Sequence, residues 1–342
     1  MSRGIGMTGD TGHGADVTGS HPVRVAAGEP GGHIWAPASP CSPECLPAPG
    51  SLPGVGDLRV AVRLAGLVTM LAVSALAAVF LPLLGRRRTP VLRGLFRSLL
   101  WTVGVRVRLE GPVREIGAGE GTGVLVVANH LSWLDILVLG AVRPMRMVAK
   151  AEIRDWPLLG PLARRIGTLF IDRRGLRSLP GVVDQVAGAL RDGAAVGLFP
   201  EGTTWCGAAS GEFRRAGFQA ALDAHVPVRP VAQRLRLPDG SPTTVGAFIG
   251  EDTLLDSMLR VLRLPRLVVE VRVLPLLEAG PGTDRRELAR RAEIAIAEAT
   301  GVPSPAITGM RSARVAGTRT AAMAKGCPPG SGRPAGEVSL AA

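Results

Sequence analysis

A chain of 342 residues with 46% hydrophobic content can hold one large domain or two modest ones around a substantial core. Its formal net charge of +12 is carried almost wholly by arginine, which suits an anionic partner such as membrane phosphates or a phosphorylated substrate. Aromatic residues make up 4%, tyrosine is absent, and no helix-turn-helix, zinc-finger or RNA-binding motif occurs, so nucleic acid is not expected as a partner.

Residues 1–56 are rich in Gly, Pro, Ser and His without periodicity, and are expected to be disordered. No charged start leads into an apolar stretch, so this segment does not read as a secretory signal. "CSPEC" places Cys41 and Cys45 here as a lone pair, with no His or Cys following at zinc spacing. Cys206 lies far away in the chain, and no metal site is expected.

"LAGLVTMLAVSALAAVFLPLL" (64–84) runs 21 residues without a charge, enough to cross a hydrocarbon core of about 30 Å. More arginines follow it (Arg86, Arg87, Arg88, Arg93, Arg97) than precede it (Arg59, Arg63). That bias favours a cell-membrane location with the rest of the chain on the cytoplasmic side. A long buried core helix is the alternative. "VLRGLFRSLLWTV" (91–103) has helical spacing, with Arg93 and Arg97 off the apolar face. Such a helix can lie among lipid headgroups or pack on the domain. Residues 57–104 thus read as membrane-anchoring helices.

From residue 105 strand-like and helix-like segments alternate. Strands are predicted at 105–109, 124–128, 146–149, 168–171, 195–199, 228–232 and 267–274, with helices at 132–142, 178–191, 214–224 and 284–300. Ser132 reads as the N-cap of the first of these helices. Asp284 and Glu287 stand at capping-box spacing before the last, which ends at Gly301. The alternation predicts an α/β domain over 105–301: a mixed sheet with helices on both faces, preceded by one or two membrane-associated helices. Residues 302–342 are Gly/Pro-rich and basic, and disorder is expected there too.

Three stretches bear chemistry, each leaving a strand. "NHLSWLD" puts His130 on the turn into a helix, with Asp135 in that helix's first turn. A neutral imidazole can take a proton from a hydroxyl if a partner fixes its tautomer. The same residues also fit a structural histidine beside a capping carboxylate. "GTLFIDRRG" (167–175) ends in adjacent arginines suited to phosphate, and "LFPEGTT" (198–204) sets a carboxylate, a permissive glycine and hydroxyls on a strand-end loop. No G-x-S-x-G elbow occurs, so direct transfer to a substrate hydroxyl is more natural than a nucleophilic triad.

Together with "VPVRPV" (226–231) and "AKAEIRDWPLLG" (149–160), these stretches resemble the ordered blocks of the glycerolipid acyltransferases, particularly the 1-acylglycerol-3-phosphate type. The resemblance covers about a third of the chain. It implies His130 as general base with Asp135 holding its ring. It also implies Phe170, Arg173, Pro200, Glu201, Gly202 and Thr203 as substrate-binding residues, with Pro227 and Pro230 near the acyl side. The implied reaction moves an acyl chain from acyl-CoA or acyl-carrier protein to the sn-2 hydroxyl of 1-acylglycerol-3-phosphate, giving phosphatidic acid, without metal or cofactor. Its partners would be membrane lipids, a lysophospholipid acceptor and the thioester donor. One departure stands out. Where the third block commonly continues with arginine, this chain has Thr204, which leaves room for another lysolipid such as lyso-ornithine lipid. A thioesterase or lipid hydrolase using the same base on water, and a non-catalytic lipid binder, are the rival readings.

Overall fold

The alternating apolar segments become seven strands: β1 (Val105–Glu110), β2 (Val124–Ala128), β3 (Arg146–Lys150), β4 (Leu169–Ile171), β5 (Ala195–Leu198), β6 (Val228–Arg236) and β7 (Leu267–Val273). They form one sheet in the order β1-β7-β6-β2-β5-β3-β4, parallel throughout except where β6 meets β7. Among the described residues eight α-helices accompany it: α1 (Asp57–Phe80), α2 (Arg88–Thr102), α3 (Leu134–Val142), α4 (Leu159–Ile166), α5 (Leu179–Arg191), α6 (Ala216–Ala224), α7 (Leu254–Leu262) and α8 (Arg285–Thr300). This computed structural model describes residues 38–306, other than 112–115, 120, 158, 172–178, 251 and 281.

β2 shows why the sheet is layered. It lies between β6 and β5, and all five of its residues are buried. A strand covered on both faces needs an unbroken apolar run, which "VLVVA" supplies. Val124, Val126 and Ala128 pack towards α2, α3 and α7, while Leu125 and Val127 pack towards α5, α6 and α8. Each such Val or Leu contributes about 1.5–3 kcal/mol on burial. β6 outruns its predicted end because its second half, Val231–Arg236, leaves β2 and pairs antiparallel with β7.

α1 carries the long apolar segment, yet one side of it belongs to the domain. Val60, Arg63, Leu67, Ser74 and Ala78 are buried along its length, at helical spacing. The Arg63 guanidinium donates to the carbonyl oxygens of Leu262, Leu264 and Pro265 at 2.8, 2.5 and 2.8 Å. It thereby satisfies groups left open where α7 ends. Gly104, at φ 79°, makes room for it, since a Cβ there would lie 2.5 Å from the guanidinium. The opposite side of α1 stays apolar and exposed, with Leu58, Val62, Val68, Leu76 and Phe80 among its residues.

Residues 38–56, placed within the expected disordered segment, instead pack on the domain. Cys41 is buried, a short 3-10 turn spans Pro43–Cys45, and Leu52 and Val55 lie against the main core. The composition is that of a loop, but a few spaced apolar residues suffice to dock it once a surface exists to receive them.

Candidate active site

β2 and β5 are parallel neighbours whose chains continue to opposite faces of the sheet, into α3 and α6 respectively. Strand exits that diverge in this way leave a crevice at the carboxyl ends, the usual place for a ligand in an open α/β sheet. His130 and the Phe199–Glu201 turn occupy that crevice.

The His130 turn is fixed from three directions. Asn129, at the end of β2, accepts from the Gln233 N–H at 2.8 Å through its side-chain oxygen and donates to the Gln233 carbonyl at 3.0 Å. That side chain prolongs the β2–β6 pairing by one rung. The His130 N–H donates to Glu201 Oε2 at 2.6 Å, and its carbonyl accepts from the Trp205 N–H at 2.8 Å. The imidazole stacks on Phe199, with centroids 4.0 Å apart and planes 7° from parallel.

Asp135 lies in the first turn of α3 and is fully buried. Its Oδ2 accepts from the N–H groups of Leu131 at 2.6 Å and Ser132 at 2.9 Å, and meets His130 Nδ1 at 2.8 Å. An oxygen that already accepts two backbone N–H groups is an acceptor towards the ring as well. Nδ1 therefore carries a proton, and in the neutral ring the lone pair is on Nε2. The expectation that Ser132 caps this helix is corrected. α3 begins at Leu134 with Trp133 preceding it, and the Ser132 hydroxyl has no hydrogen-bond partner among the described residues. The capping belongs to Asp135, whose carboxylate reaches back along the turn and serves the imidazole at the same time.

The PEG turn lies below. Gly202 adopts φ 77°, a left-handed conformation that lets its N–H reach the Phe199 carbonyl at 3.1 Å. Glu201 is buried; its Oε2 is held by His130 and its Oε1 by the Gly211 N–H at 3.2 Å. Burial pushes its carboxyl up to about 8, against the two backbone N–H groups that favour the ionised form. Pro200 is buried, and its carbonyl accepts from the Arg214 N–H; Thr203 is half-buried beside the turn. The Thr204 hydroxyl donates to the Phe248 carbonyl and so is committed within the protein.

Phe170 is on β4, three strands along from β2, or about 14 Å at the usual spacing. The structure thus gathers His130, Asp135, Pro200, Glu201, Gly202 and Thr203 closely and sets Phe170 apart from them. Arg173 lies outside the described residues. Sequence reasoning missed Arg154, whose guanidinium carbon sits 5.2 Å from the Phe170 ring centroid. Its stretch was singled out as a block, but a 3-10 turn (Ala151–Asp155) was needed to aim it at β4. Phe199, directly before "PEG", was likewise passed over as a strand residue. A cavity of about 620 Å3 adjoins the site, bounded by Asn129, Leu131 and Glu201 and running to Leu52, Gln233 and Ile296.

The sequence model of the acyltransferase family matches residues 105–234. A lyso-ornithine lipid O-acyltransferase of Pseudomonas aeruginosa is 40% identical over 235 residues, 68% of this chain and 89% of that protein. A 1-acyl-sn-glycerol-3-phosphate acyltransferase of Neisseria gonorrhoeae is 36% identical over 176 residues, 51% of this chain and 68% of that protein. The crystal structure of a 1-acyl-sn-glycerophosphate acyltransferase from Thermotoga maritima superposes with a TM-score of 0.50 at 19% identity, covering 71% of this chain and 94% of that one. At that identity the likeness concerns the fold.

Proposed function

This chain belongs to the acyltransferase family of the two relatives above, and from that premise we propose that it moves a fatty acyl group from acyl-CoA or acyl-carrier protein to the free hydroxyl of a lysolipid. The observation that carries this reading is the His130–Asp135 pair, whose hydrogen bond leaves Nε2 as a base at the strand-exit crevice. His130 Nε2 takes the hydroxyl proton as that oxygen attacks the thioester carbonyl. Asp135 holds the ring and offsets the imidazolium charge that develops. When the tetrahedral intermediate collapses, the carbon–sulfur bond breaks and the imidazolium returns its proton to the departing sulfur. Glu201 acts as a positioning residue under His130, while Gly202, Thr203 and Phe170 border the acceptor, and the apolar wall of the adjoining cavity suits an acyl chain.

The acceptor has two readings. For 1-acylglycerol-3-phosphate, giving phosphatidic acid, Arg154 beside Phe170 and Arg173, three residues after Phe170 in the sequence, are the phosphate ligands in this proposal. Lyso-ornithine lipid is favoured by a specific observation, the commitment of Thr204 to Phe248 where a phosphate-binding arginine commonly stands. Mass spectrometry of products from a lysolipid panel, with the chain in vesicles and acyl-CoA or acyl-carrier protein supplied, decides between them. Thioester cleavage at the same rate without any lysolipid would sink the transferase reading in favour of a hydrolase.

Membrane attachment is assigned to the exposed face of α1, a helix that with the turn after it (57–85) has a mean hydropathy of 2.5 over its most apolar window. Because the other face is packed on the domain from Val60 to Ala78, we read α1 as lying against the lipid; the excess of arginines after the apolar run is what supports a cytoplasmic side for the domain in this reading.

A further inference from the structure

α4 presents a cationic face that neither the packing of the domain nor the proposed chemistry uses. Its apolar residues Leu162 and Ile166 lie against Ala78 and Leu81 at the far end of α1. Arg164 and Arg165 are exposed, and with Pro161 they line an open depression. The Arg165 guanidinium donates to the carbonyls of Ala78 and Val79 at 3.4 Å each, and Arg88 donates to the Arg165 carbonyl at 3.2 Å. These bonds hold the two guanidinium groups at the end of α1, level with an apolar rim. In that rim Val79, Phe80 and Leu83 are 50%, 52% and 82% exposed.

The local sequence offers little to neutralise these charges. Between Asp57 and Glu110 the chain has nine arginines and no acidic residue, and α4 has no acidic residue either. Exposed guanidinium groups beside exposed alkyl and aromatic side chains form a two-level surface. Its apolar level fits among acyl chains, while its cations stay at the depth of the phosphates. Arginine suits that depth because its planar fork pairs with two phosphate oxygens at once. A free anion or a nucleic acid would meet the guanidinium groups but has nothing to take up Phe80 and Leu83. A bilayer satisfies both levels.

We propose that Arg88, Arg164 and Arg165 form a binding surface for the anionic head groups of a bilayer, making α4 a second membrane contact that recognises lipid charge. This rests on the reading of the chain as membrane-attached through α1 and adds to it the class of lipid preferred. α4 follows the turn that carries Arg154 and leads within a few residues into β4. Holding α4 at the head groups therefore keeps the sheet edge that bears Phe170 beside the lipid surface.

The test is co-sedimentation of the full chain with vesicles of phosphatidylcholine alone or mixed with phosphatidylglycerol, at low and high salt. Wild type should bind the mixed vesicles more tightly, and the preference should shrink as salt screens it. Arg164→Gln should weaken binding to the mixed vesicles about 5-fold, and Arg164→Gln with Arg165→Gln roughly 10- to 30-fold. Neither should change binding to phosphatidylcholine. Arg164 makes none of the bonds to α1, so the single variant still decides if the double variant folds poorly. Equal binding of wild type to both vesicle types overturns the proposal, as does a full anionic preference in the Arg164→Gln chain. Failure of the α1 reading looks different: Leu76→Glu with Phe80→Glu would then stay on phosphatidylcholine vesicles.

Discussion

In the proposed mechanism His130 is the base, with Asp135 holding its ring. His130→Ala is expected to lower transfer by about 10²–10⁴-fold with the fold intact, as measured by product formation beside circular dichroism; activity within a few-fold of wild type would remove it from the mechanism. Asp135→Asn should lower rate and melting temperature together, because Oδ2 serves the ring and also the Leu131 and Ser132 amides. A loss of melting temperature alone would assign Asp135 to capping. Glu201 makes a prediction about pH. Its carboxyl titrates near 8 in the folded state against an ordinary 4.5, so between those values the folded protein holds a proton that the unfolded chain has released. Its contribution to stability is present below about pH 4.5 and is lost progressively as pH rises towards 8, by at most about 1.4 kcal/mol per pH unit. Denaturation across that range should show the slope in the wild type and its absence in Glu201→Gln; equal slopes would mean the carboxyl titrates normally.

Among the elements, α1 makes the clearest demand. Its apolar run reads equally as a span or as a core helix, and it is partly each: one face is packed, the other bare. Arg63→Met should destabilise the protein by about 1–3 kcal/mol, because the carbonyls of Leu262, Leu264 and Pro265 lose their donor. Urea unfolding measures this, and vesicle binding should not change. Conversely, Leu76→Glu with Phe80→Glu, both on the exposed face, should release the chain from vesicles at little cost in stability. Retention on vesicles would transfer the attachment elsewhere. α8 shows how far local signals reach. Asp284 caps it through the Arg286 and Glu287 N–H groups and Gly301 closes it at φ 69°, but Glu287 pairs with Arg290 rather than completing the box.

Across the whole molecule, the proposed acceptor site spans the sheet from β2 to its edge at β4. If the acceptor carries a phosphate, Arg173→Ala or Arg154→Ala should raise its apparent KM about 10- to 150-fold, corresponding to about 1.5–3 kcal/mol for a charge-assisted partner. The KM for the thioester should barely move. If both constants stay put in both variants, the phosphate reading falls and the lyso-ornithine acceptor takes its place.

By itself the sequence determined the seven strands, most of the helices between them and the residues of the His130 turn. Those depend on local patterns: apolar runs the length of a buried strand, a carboxylate placed to reach its own helix's entry, a glycine where φ must be positive. Tertiary structure alone decided the strand order, the aim of Arg154 over Phe170, the commitment of Thr204 to Phe248, and the packing of residues 38–56 on the domain. It also brought Cys206 to Cys41 across 165 residues. No pattern within either segment encodes that meeting, because it exists only when the sheet carries the turn after β5 to where the N-terminal segment docks.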